Sequence, residues 1–413
     1  MTSLALRDAA SLIPLSGDGP IRGDGFRDIT ILHDASIACE GDRISSVGEA
    51  GTADAEFDAT GCTIVPGFVD CHTHLPFYGW RSDEDAARLT GIRYEDLHRG
   101  EGGIYRSARM LAEASDAEVL DFSSRLALAM LMSGTTTFET KSGYGLSVDA
   151  ELRQLRLAAE LASTVPQHVA MTCLAAHAVP KGKSQSEWIG EADELVRRAA
   201  REGMASACDM YVESIAYTLE HAARLAKTSE SVGLRMRVHA DQLADNQTAS
   251  FAARSGFASA DHLNHTSLDA VSDLAGSDTA AVLLPGATFT LRQSNKPPAR
   301  DLIEAGAIVA LGTDLNPGTS PIHSMPFTMA LACRLYGLRP LEALAAATVN
   351  SAHVLGLGGE VGRLQPGHRA DLVVLDTPDL DHLTYRPDAA HVLAVVCAGE
   401  LAYVSPEAEG RWG

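Results

Sequence analysis

From Phe68 onward, short apolar runs alternate with longer stretches in which apolar residues recur every three to four positions. The short runs suit strands buried on both faces, and the longer stretches suit helices carrying one apolar stripe. Strands are predicted over Phe68–Thr73, Thr135–Glu139, Val169–Ala175, Ala207–Val212, Leu234–His239, Ala258–Leu263, Ala280–Leu284 and Ile308–Gly312. Helices are predicted between them, among others over Ala117–Met132, Asp149–Ala162, Glu187–Glu202 and Leu219–Ser231. This alternation predicts a parallel sheet with right-handed crossovers, and eight strands is the number that closes a barrel.

The two ends of the chain read differently. Before Pro66-Gly67, β-like runs at Ile29–Leu32, Arg43–Val47 and Thr63–Val65 show no helical period. After the eighth strand come helical stretches near Ser324–Tyr336 and Pro340–Leu355, followed by turn-and-strand text at Gly362–Asp376 and Ala394–Val404. The prediction is an α/β chain: a (β/α)8 TIM-like barrel over 66–355, with a small composite β-sandwich formed by both termini, 1–65 and 356–413.

Composition agrees with one large domain and a smaller companion. A chain of 413 residues, 46% hydrophobic and 21% charged, can bury a substantial core, and no apolar run approaches the roughly 20 residues that span a bilayer. Met1–Arg7 carries no secretory or transit pattern, so a cytoplasmic location is expected. With 33 Lys and Arg against 54 Asp and Glu, the net charge of −21 excludes a broad footprint for nucleic acid or anionic lipid. An anionic small molecule would need a local cation. Seven cysteines without a CxxC pair read as reduced, mostly buried thiols. Cys71 lies beside two histidines, but strand alternation turns it away from the face of His72.

The candidate chemistry sits at strand ends. His72 and His74 follow the first strand, His239 closes the fifth, and Asp314 follows the eighth. A lone His-x-His is a weak signal, because alternation alone can place two histidines on one strand face. Three imidazoles and a carboxylate at the C-terminal rim of one barrel, where such folds keep their chemistry, form a ligand set for zinc or iron with room for water.

Several stretches then carry a resemblance. "VPGFVDCHTH", the Asp after the eighth strand and the late "GRLQPGHRADLVVLD" segment resemble the amidohydrolase superfamily over nearly the whole chain. Two-metal members usually bridge their ions through a carboxylated lysine at the end of the fourth strand; here that strand ends near Glu213, with no lysine. Lys141, after the second strand, reads as a rim or loop-anchoring residue. The resemblance therefore implies one zinc or iron ion, ferrous or ferric, per subunit.

Within that superfamily, "HTHLPFYGWR", "RLTG", "GGI", "KSGYGL", "AAHAVP", "HADQL", "ADHL" and "TDLNPGTSP" resemble the imidazolonepropionases of histidine degradation. That resemblance implies hydrolysis of the cyclic amide C–N bond of 4-imidazolone-5-propanoate to N-formimidoyl-L-glutamate. A metal lowers the pKa of its water toward neutrality and aims it at the lactam carbon. Asp314 can take the proton, and His262, at the end of the sixth strand, can act as base or hold the oxyanion. His262 also has a reading as a fifth ligand and another as a core imidazole. Gln242 stands where some relatives carry Glu; it cannot be a base, so it either hydrogen-bonds the substrate or orients the ligands.

For the propanoate, Arg81 offers a bidentate fork. Tyr144 and His177 would add a hydroxyl and a ring donor, and Asn316, Gly318 and Thr319 would line the same pocket. Tyr94 is a further candidate. Taken singly, each has a plain alternative: a surface ion pair for Arg81, a packed aromatic for Tyr144, a rim histidine for His177, turn chemistry for the Asn-Pro-Gly segment. "PFYGW" is bulkier than the loop such relatives imply, and "GEGGI" replaces a plainer glycine run. Two other functional classes stand beside this reading: a deaminase or other amidase using the same ion, which would have no need of a carboxylate clamp, and an inactive metal-containing scaffold. The resemblance is compatible with a homodimer, which the residues alone do not specify.

Overall fold

The computed structural model describes residues 3–92, 96–97 and 102–412. Its centre is an eight-stranded parallel sheet whose strands lie in chain order: Phe68–Asp70, Thr135–Lys141, His168–Ala176, Ala207–Met210, Arg235–Ala240, Ser259–His262, Ala280–Leu283 and Val309–Leu311. All eight predicted strands are present, shifted at most a few residues at their ends. The eighth strand meets the first at the C-terminal rim. There Thr73 and Leu315 form a parallel bridge, the Asp314 amide donates to the His72 carbonyl (2.9 Å), and the His74 amide donates to the Leu315 carbonyl (2.9 Å). Asp70 fastens the same seam, accepting from the Thr313 amide (3.0 Å) and hydroxyl (2.5 Å).

Helices cover the outside. Asp116–Met132 and Gln185–Arg201 begin at capping boxes in which Ser115 pairs with Glu118 and Ser184 with Glu187. Apolar helix faces meet the outward-facing residues of the strands: Leu152 and Leu155 of the helix Val148–Thr164 and Ile189, Leu195 and Val196 of Gln185–Arg201 pack in one cluster with Cys173, Cys208, Met210, Val238 and Leu283. The alternate strand positions point inward, as contacts across the barrel show, since Arg237 of the fifth strand reaches Glu139 of the second.

Two smaller sheets stand beside the barrel. One is made of Ser3–Ala9, Ala35–Glu40, Arg43–Gly48 and Ala55–Asp58; the other draws on both ends of the chain, with Ser11–Leu12, Thr63–Pro66, Leu372–Leu375, Val392–Cys397 and Glu400–Val404. Leu6, Ile37 and Phe57 of the first pack against Ile64, Leu372 and Val396 of the second.

Two expectations are corrected. Ile29–Leu32 is not a strand: only Leu32 makes a bridge, to Leu12. The stretch Pro340–Leu355 is two helices, Pro340–Ala346 and Val349–Leu355, broken at Thr348, whose φ and ψ are −135° and −89°. Polar side chains compete with the helix there: the Thr348 hydroxyl donates to the Leu344 carbonyl (2.6 Å), and the Asn350 amide donates to the Val309 carbonyl (2.8 Å). Among the described residues no helix is long and apolar enough to cross a membrane.

Gly312 shows how closely the seam is packed. A Cβ there would lie 2.7 Å from the His72 Cβ and 3.1 Å from its amide nitrogen. Gly312→Ala is expected to destabilise the metal-free protein by about 1–3 kcal/mol, read as a lower urea midpoint at unchanged slope.

Candidate metal centre and substrate pocket

Strand ends deliver the polar cluster. His72 and His74 leave the first strand on one face, two residues apart, His239 lies near the end of the fifth, His262 ends the sixth, and Asp314 follows Gly312 beyond the eighth. Asp314 Oδ1 lies 3.2 Å from His74 Nε2 and 3.6 Å from His72 Nε2. The ring centre of His72 is 4.7 Å from that of His239, and His239 is 5.4 Å from His262. Two overlapping donor groups result, His72 with His239 and His262, and His72 with His74 and Asp314, each with its donor atoms within 4.8 Å of one another. His262 (φ +83°) and Asp314 (φ +55°) occupy the left-handed region that residues with a Cβ rarely adopt. Such backbone strain tends to gather at functional sites.

The donors fit a divalent metal ion. Buried ring nitrogens Nε2 of His72, Nε2 of His239 and Nδ1 of His262 have no hydrogen-bond partner among the described residues, an expensive arrangement unless something else satisfies them. The opposite nitrogens of two of these rings are fixed: His72 Nδ1 meets Asp261 Oδ2 at 2.5 Å, and His239 Nδ1 meets Asp209 Oδ1 at 3.2 Å. Carboxylates in that position hold the proton on Nδ1 and leave Nε2 free to ligate. Burial holds His72 and His74 well below the usual imidazole range and pushes His262 down to about 3, so these rings are neutral donors. Burial raises the carboxyl of Asp314, against the pull of His262 and His239.

Lys141 is not at the rim. Its ammonium is fully buried inside the barrel, 2.7 Å from Glu139 Oε1 and 2.9 Å from Asp209 Oδ2. The fourth strand ends without a lysine, and Glu213 beyond it accepts from the Leu243 amide and the Asn246 side chain, both at 2.8 Å. The Cys71 thiol turns away from the cluster, toward the Leu311 carbonyl and the Ser351 hydroxyl, and burial pushes its pKa up to about 12.

A narrow pocket opens above the cluster. It is lined by His74, His239, His262 and Asp314, and also by Arg81, Tyr144, His177, Gln242, Asn316 and Thr319. Arg81 is buried, 2% exposed, with Glu84 at 3.5 Å, and its Nε and Nη1 have no hydrogen-bond partner among the described residues. His177 stacks on His74 at 5.1 Å, and its Nδ1 faces the Gly143 carbonyl at 3.1 Å. That contact places the proton on Nδ1, so the remaining nitrogen of this neutral ring accepts a hydrogen bond; the expected ring donor is an acceptor.

Asn316 has its side chain committed to its own loop. The amide donates to the Asp314 carbonyl (2.6 Å), while Oδ1 accepts from the Gly318 amide (2.9 Å), the Thr319 amide (2.7 Å) and the Thr319 hydroxyl (3.0 Å). Gly318 lies behind Arg81 rather than on the pocket wall: a Cβ there would stand 2.1 Å from the guanidinium. Arg88 holds this glycine from outside, donating to its carbonyl at 2.9 Å. Tyr94 lies outside the described residues.

Two lining residues, Ile104 and Tyr211, escaped the sequence reading. Tyr211 had a signal, since it directly follows the fourth strand, and Ile104 had one as the last residue of the "GGI" stretch. Asp209 and Asp261 also had one, as lone carboxylates within otherwise apolar strands.

Comparison with known proteins agrees with this geometry. A model of the amidohydrolase family matches residues 63–402. The imidazolonepropionase of Rubrobacter xylanophilus is 41% identical, over 97% of this chain and 98% of its own, and that of Symbiobacterium thermophilum is 39% identical over 96% of each. The chain belongs to the amidohydrolase family, among the imidazolonepropionases. It is accordingly a hydrolase acting on the C–N bond of a cyclic amide. Solved structures share the fold at low identity. A triazine hydrolase variant gives a TM-score of 0.76 at 18% identity, covering 97% of this chain and 94% of that one. A zinc-bound adenosine deaminase from Xanthomonas campestris gives 0.72 at 19%, covering 98% and 94%.

His177 offers a test of the electrostatics. Burial, reinforced by His74 and His239, holds it well below 6.5, whereas the unfolded chain titrates near that value. Below pH 6.5 the unfolded state takes up a proton that the folded state refuses, so this residue lowers stability as pH falls. Chelator-treated His177→Asn is therefore expected to lose about 1 kcal/mol less than the parent between pH 7 and 5.5, measured by urea unfolding at both values.

Proposed function

We propose that the chain opens the ring of 4-imidazolone-5-propanoate by hydrolysing its lactam C–N bond, yielding N-formimidoyl-L-glutamate, with a single zinc or iron ion held by His72, His74, His239 and Asp314. The observation that carries the substrate is Arg81. A buried guanidinium that lines the same pocket as the histidine cluster, with no hydrogen-bond partner for Nε and only a loose 3.5 Å ion pair to Glu84 at Nη1, calls for an anion, and the planar fork suits a carboxylate. A neutral heterocycle would leave those donors unsatisfied, which disfavours a deaminase of an uncharged base.

When bound, the ion supplies Lewis acidity and brings the pKa of water toward neutrality. The protein's own groups do the rest. Asp314, whose carboxyl burial biases toward protonation, receives the proton of the attacking water. His262 is neutral, and its unpartnered Nδ1 can accept a proton or, once protonated, stabilise the oxyanion formed from the lactam carbonyl. The departing ring nitrogen takes its proton from whichever of these two groups has gained one. Gln242 cannot exchange protons and holds the substrate by hydrogen bonding. His177 accepts from a ring N–H, Tyr144 closes the wall beside it, and Thr319, whose amide and hydroxyl both donate to Asn316, lines the pocket by shape. Asn316 shapes the loop that carries Thr319, and Gly318 seats the guanidinium of Arg81.

The direct experiment follows the ultraviolet absorbance of freshly prepared imidazolone propionate. Decay that the protein accelerates and a chelator abolishes is expected; no chelator-sensitive decay overturns the assignment. The carboxylate clamp has its own check. Arg81→Met is expected to lower kcat/KM by about 10- to 100-fold, the value of one charge-assisted contact. Gly318→Ala, which touches no substrate, should raise KM by about 10-fold by displacing the guanidinium. Metal content should match the parent in both variants; an unchanged KM in Gly318→Ala would refute the seating role.

A further inference from the structure

Beneath the histidines five charged side chains, none of which lines the pocket, form one connected path. Asp261 Oδ2 faces His72 Nδ1 at 2.5 Å and accepts from Arg237 Nη2 at 2.8 Å. Arg237 continues to Glu139, and its Nε donates to the Ser259 hydroxyl at 2.9 Å. Glu139 Oε1 also accepts from the Thr172 hydroxyl (2.5 Å) and from Lys141 Nζ (2.7 Å). Lys141 is ion-paired in turn with Asp209 Oδ2 (2.9 Å), and Asp209 Oδ1 faces His239 Nδ1 (3.2 Å). The path leaves one histidine of the metal centre and returns to another. Every member is buried.

Stability alone is a poor reason for such an arrangement. Desolvating five charges is costly, and apolar side chains of similar volume often serve a core as well or better. The arrangement makes more sense against the metal centre. Within the path two cations stand against three carboxylates, leaving one formal negative charge next to the donor cluster. Each end of the path also fixes a ligand's proton on Nδ1.

We propose that Asp261, Arg237, Glu139, Lys141 and Asp209 act as one positioning unit that aims the Nε2 lone pairs of His72 and His239 and so sets the affinity for the ion. The proposal rests on the metal-centre reading above. Asp261 and Asp209 touch ligands directly. Arg237 and Lys141 act one step removed, by holding those carboxylates in place. This separates positioning from a simple charge effect by sign. If the unit were only an electrostatic cage, removing a cation would tighten binding of a divalent metal; if it positions ligands, removing one weakens binding.

The test is the affinity of the full-length protein for Zn2+, measured by competition with a chromophoric chelator, together with the visible spectrum of the Co2+ form. Arg237→Met and Lys141→Met are each expected to weaken Zn2+ binding by about 10- to 100-fold and to shift the Co2+ spectrum. The double variant should be little worse than the weaker single one, because one break already opens the path. Ser259→Ala and Thr172→Val remove only hydroxyl contacts to the unit and carry the test if the charge variants fail to fold, with a several-fold loss expected. Affinity equal to or tighter than the parent's, with an unshifted Co2+ spectrum, overturns the proposal even where thermal stability falls. Failure of the parent itself to bind Zn2+ or Co2+ would instead overturn the metal-centre reading.

Discussion

The interior of a closed eight-stranded barrel is sealed from water, so every polar side chain that strand alternation sends inward must be satisfied by another polar side chain or by the rim. This constraint organises the molecule. Outward positions are small and apolar and take the helices; inward positions on the second, fourth, fifth and sixth strands carry Glu139, Lys141, Asp209, Arg237 and Asp261, which satisfy one another. Above them the histidines keep ring nitrogens with no hydrogen-bond partner among the described residues, and His74, His239 and His262 line the pocket at which solutes can arrive.

Closure of the barrel and assembly of the site are the same event. The eighth strand joins the first through the backbones of His72, His74, Asp314 and Leu315, so the residues that shut the sheet also bring two imidazoles and a carboxylate within ligand distance. Asp70 ties the seam from below through Thr313, and burial pushes its carboxyl up to about 7. A change at this seam, such as a methyl group at Gly312, therefore acts on the fold and on the donor cluster together.

The barrel strands were legible because each is a compact apolar run ending in a punctuated loop, and the ligand histidines because they sit at those ends. What escaped was relational. Nothing in "FETK" shows that Glu139 and Lys141 face Arg237 nearly a hundred residues later, so Lys141 reads as a rim residue when it lies at the centre. The N-terminal strands Ser3–Ala9 and Ala35–Glu40 were missed because each is short and broken by polar residues, and its apolar face appears only when the two small sheets stack. The role of Gly318 was misread for a similar reason: a glycine in a turn signals backbone freedom, while its value here is the space it gives the guanidinium of Arg81.

The overall acidity of the chain gives Arg81 its meaning. A protein with a net charge of −21 offers an anion little general attraction, and Asp314 at the reacting end of the pocket would repel a carboxylate. Arg81 supplies the local exception. It is held by Gly318 behind it and by Glu84 beside it, and Glu84 is itself occupied, accepting from the Gly103 amide through both oxygens at 3.2 Å. Part of the guanidinium's charge thus remains available to a ligand. A substrate with its carboxylate at one end and an electrophilic amide at the other can satisfy Arg81 only by turning the amide toward the histidines and Asp314. In the proposed reading, the opposed charges at the two ends of the pocket select the substrate and set its orientation in the same step.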